Sequence, residues 1–227
     1  MRHFLRYILA TALVVLGLSA CKLEDTYYVQ GVQDMVTATA KDTFISDYGV
    51  RYTVTDDKTD RQWAPEKRYL IDFDITDRSY NITLNSYKES TIVTPVAATW
   101  EKRTPGSPIL VRGHSIGGGY LSLIVAYYRL KNSSTPHRIS MEYRESPNRS
   151  ELNLYLVHES NGEVPESADD SAYELVDEVY SFKLANLLPS GEVRLLFLTI
   201  DQMDKDKDGN LISEEETFRL YDESITF

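Results

Sequence analysis

Two short strings carry side chains whose types and spacing could do chemistry. Residues 204–215 run Asp204-Lys205-Asp206-Lys207-Asp208-Gly209-Asn210-Leu211-Ile212-Ser213-Glu214-Glu215 and match the loop of a calcium-binding helix-loop-helix. In that pattern Asp204, Asp206 and Asp208 each give a side-chain oxygen, Gly209 permits the sharp turn, Asn210 offers its carbonyl and Glu215 closes the shell with both carboxylate oxygens. Ca²⁺ is the one cofactor the sequence suggests. The flanks, Val193–Ile200 and Phe218–Ile225, pattern as strands rather than helices, so the same string also reads as an acidic hairpin turn whose Asp-Gly supplies the backbone conformation.

The second string, Gly113-His114-Ser115-Ile116-Gly117, satisfies the G-x-S-x-G pattern of serine hydrolases. That nucleophile needs a strand before it, a helix after it, and then an acid and a histidine in chain order. Here glycines and a β-patterned run follow Ser115, and no aspartate lies between it and His158, the last histidine. A hydrolase using Ser115 is therefore the remote reading, and a strand with a glycine bend the nearer one. His114, His137 and His158 lack the spacing of a zinc site. Trp63 and Trp100, with Tyr48 and Tyr52, could stack on sugar rings or pack in a core.

A third chemical feature is Cys21, the only cysteine. Arg2, His3 and Arg6 precede an apolar run, Tyr7 to Gly17, and Leu18-Ser19-Ala20-Cys21 closes it. The run is shorter than the roughly 20 residues of a membrane-spanning helix. Small residues before a cysteine predict a lipoprotein signal over residues 1–20, with Cys21 carrying the acyl chains that attach the chain to a membrane. Lys22-Leu23-Glu24-Asp25 resembles a signal that routes some outer-membrane lipoproteins to the cell surface, and reads equally as a solvated linker. Loss of the leader removes two arginines and leaves 22 Lys and Arg against 35 Asp and Glu, a formal charge of −13 against −11 for the whole chain. Such a surface repels phosphate backbones, which argues against nucleic acid as a partner. One cysteine allows no intrachain disulfide, so stability rests on buried apolar surface, to which 16 tyrosines and 7 phenylalanines contribute.

The elements that must position these residues are strands. Met35, Thr37 and Thr39 alternate with Val36, Ala38 and Ala40; Tyr48, Val50, Tyr52 and Val54 alternate with polar or small neighbours; Tyr69, Ile71, Phe73 and Ile75 alternate with Leu70, Asp72 and Asp74; Tyr80, Ile82 and Leu84 follow. Four or five such strands predict a small barrel over 31–95, after a linker at 21–30. Pro95, Pro105, Gly106 and Pro108 break the pattern and predict an interdomain linker over 96–107. Strands resume at 120–128, 139–143, 152–158, 179–184 and 193–200, with turn residues at 132–136, 147–148, 161–162 and 189–191, which predicts an antiparallel β-sandwich over 108–227. Only Ala172, Leu175, Val176 and Val179 offer a helical period, in a stretch that could equally feed the next strand. The fold class is thus all-β, a small barrel followed by a sandwich.

Several words in the chain are similar to those of the NigD-like lipoproteins: Gly31-Val32-Gln33-Asp34, Ser46 to Tyr52, Thr91-Ile92-Val93-Thr94-Pro95, Ser115 to Leu121, His137-Arg138-Ile139 and Ser181-Phe182-Lys183-Leu184. The resemblance spans the mature chain and implies an N-terminal OB-like barrel with a C-terminal β-sandwich. It implies no set of catalytic residues. The expectation is a non-enzymatic lipoprotein of the cell envelope, held at the outer membrane through Cys21, that binds an envelope protein or glycan. The alternative is a bacteriocin-associated or immunity-like accessory lipoprotein.

Overall fold

A computed structural model describes residues 27–146, 151–185, 187 and 195–221. The leader, Cys21, the expected turns at 147–148 and 189–191, and the end of the expected strand at 218–225 lie outside the described residues. The first five strands are β1 (Val29–Ala40), β2 (Thr43–Ser46), β3 (Arg51–Asp57), β4 (Arg68–Ile75) and β5 (Asn81–Glu89). They close into a barrel in the order β1-β2-β3-β5-β4, antiparallel except for the parallel β3–β5 pairing. This is the OB-like barrel expected. Alternation fixes its core: Tyr69, Ile71 and Phe73 of β4 point inward with Val36, Ala38, Phe44, Ile82 and Leu84, all fully buried. β1 begins within the stretch expected as linker, and the expected strand around Tyr48 is a turn between β2 and β3.

Trp63 fills one end of the barrel. Its ring meets Phe44, Tyr69 and Tyr87 edge-on, with centroids 5.2, 5.0 and 4.9 Å away, and its Nε1–H donates to Asp57 Oδ2 at 3.1 Å. Trp63 is therefore a core residue and not an exposed sugar platform, because its apolar face covers the barrel while its polar edge finds a carboxylate. Beside it the buried Tyr69 Oη has no hydrogen-bond partner among the described residues. A buried hydroxyl left unpaired costs about 1–3 kcal/mol. Tyr69→Phe is accordingly expected to leave stability unchanged or raise it by about 1 kcal/mol in denaturant titrations; a loss of that size would mean the hydroxyl has a partner after all.

The remaining strands are β6 (Thr91–Val93), β7 (Val96–Ala97), β8 (Leu110–Gly117), β9 (Tyr120–Leu130), β10 (Arg138–Glu145), β11 (Glu151–Glu159), β12 (Tyr173–Lys183), β13 (Leu195–Lys205) and β14 (Leu211–Tyr221). They form two sheets, β14-β13-β11-β10-β7 and β6-β12-β9-β8. Leu121, Leu123, Val125 and Tyr127 of β9 line one face, as their alternation predicts, and pack with Met141, Leu154, Phe182 and Leu198 in one buried cluster. The sandwich stands, with three of its pairings parallel: β6–β12, β7–β10 and β11–β13. Two of these use β6 and β7. β6 falls within the range assigned to the barrel and β7 within the expected linker, yet each is an edge strand of a sandwich sheet. The helical period at 172–179 belongs to β12, where Val179 is buried and Leu175 exposed.

The rest of the expected linker is fastened down. Trp100 stacks under Arg144, whose guanidinium carbon is 4.0 Å from the ring centre, and meets Tyr155 edge-on at 5.0 Å. Arg103 reaches both oxygens of the buried Asp201 and also Glu215 Oε2 at 2.8 Å, while the Gly106 N–H donates to Asp201 Oδ2 at 2.7 Å. Prolines kept these residues out of any regular ladder, and side-chain hydrogen bonds replace the ladder.

Candidate functional site at the barrel and sandwich junction

The two strings that suggested chemistry have different fates. In the β13–β14 hairpin, Asp206 Oδ1 accepts the N–H groups of Asp208 and Asn210 at 2.9 Å each, Asp206 Oδ2 accepts from Asn210 Nδ2 at 2.9 Å, and Gly209 sits at φ 85°. Asp204 faces Ile212 across the ladder. Glu215 faces Asp201, three strand residues further from the turn, and bonds Arg103. At about 3.4 Å per residue that separation places Glu215 about 10 Å along the strand from the position opposite Asp204. The five candidate calcium ligands, Asp204, Asp206, Asp208, Asn210 and Glu215, thus do not converge, because extended backbone replaces the helix that would swing Glu215 back. No metal-holding group of three acidic, histidine or cysteine side chains occurs among the described residues.

The Ser115 string instead lies where barrel and sandwich meet. Ser115, Ser122 and Ser181 sit side by side in register on β8, β9 and β12. All three are on the sheet's outer face, opposite the core side chains of β9 and β12, and the barrel covers them there with Arg68. Arg68 stands at the start of β4, on the barrel's outer face one position before the inward Tyr69, and its side chain is fully buried. Its Nε donates to Ser181 Oγ at 3.0 Å, Nη1 to Thr37 Oγ1 at 3.0 Å, and Nη2 to Asp47 Oδ1 at 2.6 Å and Ser122 Oγ at 2.9 Å. Tyr120 lies against the guanidinium at 4.2 Å. Ser115 Oγ donates to the other oxygen of Asp47 at 2.7 Å, and Ser90 joins Ser181 at 2.8 Å. A buried charge is tolerated when it is paired and its remaining hydrogen bonds are met, and both conditions hold for this pair.

Ser115 therefore has a structural partner where a hydrolase would place a histidine. Its neighbours explain the glycines. A Cβ on Gly117 would collide with the Asp47 backbone, with the carbonyl carbon at 2.7 Å, and Gly118 and Gly119 take φ 57° and 84° to turn the chain into β9. Arg68 gave no signal in the sequence beyond standing, next to Lys67, at the head of an alternating strand. The words that resemble the NigD-like lipoproteins nevertheless converge here, since Asp47, Ser115, Gly117 and Ser181 each belong to one of them.

Two cavities flank this network. The larger, about 970 Å³, opens between Glu66 and Lys67 of the barrel and Thr91, Ile92 and Lys183 of the sandwich, with Thr37 and Tyr120 at its base. The smaller, about 270 Å³, is bordered by Asp34, Tyr48, His114 and Ser115. Of the rings considered as sugar platforms, Tyr52 is buried against Phe73 and donates to Asp34 Oδ2 at 3.0 Å. Tyr48 is 74% exposed.

A separate buried chain joins the other two histidines. His158 Nδ1 lies 3.1 Å from the Pro108 carbonyl, His158 Nε2 is 3.0 Å from His137 Nδ1, and His137 Nε2 is 3.1 Å from Glu163 Oε2. Tyr127 stacks on His137 at 4.9 Å. The carbonyl requires a proton on His158 Nδ1, leaving Nε2 as the acceptor for His137. Burial first, and the facing His137 besides, push the His158 imidazole down to about 4. The fold thus favours neutral His158, whereas the unfolded chain takes up a proton near pH 6.5. This contribution to stability is complete above about pH 6.5 and is lost as the pH falls toward 4, an effect of ~3 kcal/mol. Unfolding titrations at pH 7 and pH 4 should show that difference between the native protein and His158→Gln; equal pH slopes would count against it.

No protein-family model matches the sequence, and no curated protein is similar to it. Solved structures do share its fold. A protein of unknown function (DUF1344) from Bacteroides vulgatus ATCC 8482 aligns with a TM-score of 0.64 at 16% identity, over 86% of this chain and 90% of its own. A NigD-like immunity protein from Bacteroides caccae ATCC 43185 aligns at 0.59 and 21% identity, over 87% of this chain and 99% of its own. A candidate lipoprotein from Bacteroides fragilis NCTC 9343 aligns at 0.56 and 14% identity, over 87% and 100%. Barrel and sandwich, joined in this order, are thus a fold that this chain shares with these structures, a NigD-like immunity protein among them.

Proposed function

We propose that this chain is a non-enzymatic lipoprotein of the cell envelope, anchored through Cys21, that holds another envelope component between its barrel and its sandwich. The observation that carries the reading is the Arg68 network. It joins the two halves, and it engages Ser115 as a donor to a buried carboxylate, which argues against a nucleophile's role for the one hydrolase-like serine. The large cleft lined by both halves is then the surface for a partner, since pockets concentrate where domains meet. The folds it shares, those of an immunity protein, a candidate lipoprotein and a protein of unknown function, fit an accessory role. An immunity-like function is the second reading, favoured by the likeness to the Bacteroides caccae immunity protein.

Cross-linking on intact cells expressing the lipidated chain, beside a Cys21→Ala control, tests this. Recovery of one dominant component that is lost in the control supports an anchored binding protein. An unchanged partner set in the control would remove the anchor from the function. Ser115→Ala is expected to leave any ester hydrolysis unchanged, and an activity abolished by that substitution would overturn the non-enzymatic reading.

A further inference from the structure

The smaller cavity is bordered by groups that the Arg68 network does not absorb. Tyr48 projects from a turn that is fixed on every side: Ser46 Oγ accepts the N–H groups of Tyr48 and Val50 at 3.2 and 3.0 Å, Gly49 N–H donates to Ser46 O at 3.0 Å, and Asp47 is clamped by Arg68 and Ser115. The most exposed large ring among the described residues is thus held on a turn fastened by backbone and side-chain hydrogen bonds. Burying such a ring later costs little chain entropy, because the turn is already ordered. Gln33 and Asp34 from β1 and His114 from β8 line the same cavity, together with the apolar Leu70 and Ile124.

From this juxtaposition we infer that the cavity is a binding site for one neutral sugar ring, with the apolar face of the ring stacked on Tyr48 and its hydroxyls reaching Asp34, Gln33 and His114. The inference rests on the reading of the chain as an envelope-binding protein and specifies a chemical class for what it holds. Three features select the class. The polar groups include both donors and acceptors, as a polyhydroxylated ligand requires, whereas an anion would need cations and no lysine or arginine is among the described residues that line the cavity. A cation would find one carboxylate, and that one already accepts the Tyr52 hydroxyl. Finally, a volume of about 270 Å³ lies just under the ~300 Å³ at which drug-sized ligand pockets begin, which limits the occupant to about one ring.

The test uses the full lipidated chain in detergent micelles with ring-labelled tyrosine. Methyl glycosides of glucose, galactose, mannose and N-acetylglucosamine are titrated separately; binding to every variant is read from saturation transfer to the glycoside protons, and in the native protein the Tyr48 ring resonances are followed as well. At least one glycoside is expected to shift them saturably. Tyr48→Ala should weaken that binding by about tenfold or more, and Tyr48→Trp should retain it. Because Tyr48 is exposed, both variants should keep the native unfolding midpoint, which separates lost binding from lost fold. Three results would each overturn the inference: no glycoside binding at tens of millimolar, binding that Tyr48→Ala leaves intact, or saturable binding of tetramethylammonium in place of the sugars. A cross-linked envelope partner found alongside any of these would leave the broader function standing and remove only the sugar.

Discussion

Arg68→Leu is expected to cost about 3–5 kcal/mol of folding stability, the loss typical when one member of a buried ion pair is removed. The size follows from what stays behind. Asp47, with its side chain wholly out of solvent, would keep only the Ser115 hydroxyl, and Ser122, Ser181 and Thr37 would each lose a donor. If the cost lies in that stranded carboxylate, then adding Asp47→Asn to Arg68→Leu should recover about 2 kcal/mol, although Asp47→Asn alone in the native protein should be destabilising. Guanidinium or urea titrations of the four proteins complete the cycle. Independent, additive losses would show that the two side chains do not act as a pair. A loss under about 1 kcal/mol for Arg68→Leu would mean that the junction stays in contact with water.

Gly117→Ala is the second large effect, expected at about 3 kcal/mol or more, because the new methyl meets backbone that is itself fixed by the Arg68 clamp. Gly113→Ala provides the contrast. There the nearest atom is the Ile124 Cδ1, at an ordinary 3.6 Å, so the change should fall within about 0.5 kcal/mol. Both glycines belong to the same G-x-S-x-G string. In a nucleophile turn both would matter for the sharpness of the bend. Here only the one pressed against Asp47 matters, and thermal midpoints of the two variants distinguish the accounts.

The alternation of Tyr69, Ile71, Phe73 and Ile75 made the barrel legible, since a half-buried strand writes its burial directly into every second residue. The face of β9 with Leu121, Leu123, Val125 and Tyr127 was legible for the same reason. What escaped was pairing. β6 and β7 are three and two residues long, too short for any period, and Pro95 between them suggested a break rather than a crossing from one sheet to the other. Parallel partners leave no local trace, because direction is set by the crossover and not by the strand. The candidate site was half legible. Ser115 was read as the entry to the strand that begins at Tyr120, whereas it belongs to a separate strand, β8, and its neighbours Asp47, Ser122 and Arg68 are related to it by no linear spacing. In the calcium string Glu215 stands three strand residues from the position opposite Asp204, because an extended backbone does not bring it back toward the turn as a helix would.

β6 and β7 also set the schedule by which the molecule can form. Emerging N-terminus first, the chain delivers each of these short strands directly after the barrel, while β10 and β12, to which they pair, follow much later. Until then two strand edges wait with open hydrogen-bonding groups, and such edges invite pairing with other chains. The barrel, whose partners are all close in sequence, can close early, and the sandwich is then assembled around strands the barrel already holds in place. A cut between residues 95 and 96, near the boundary that the prolines suggest, would part β6 from its sheet and from β7. Two soluble halves should not be expected from it, and barrel and sandwich are better regarded as a single structural unit.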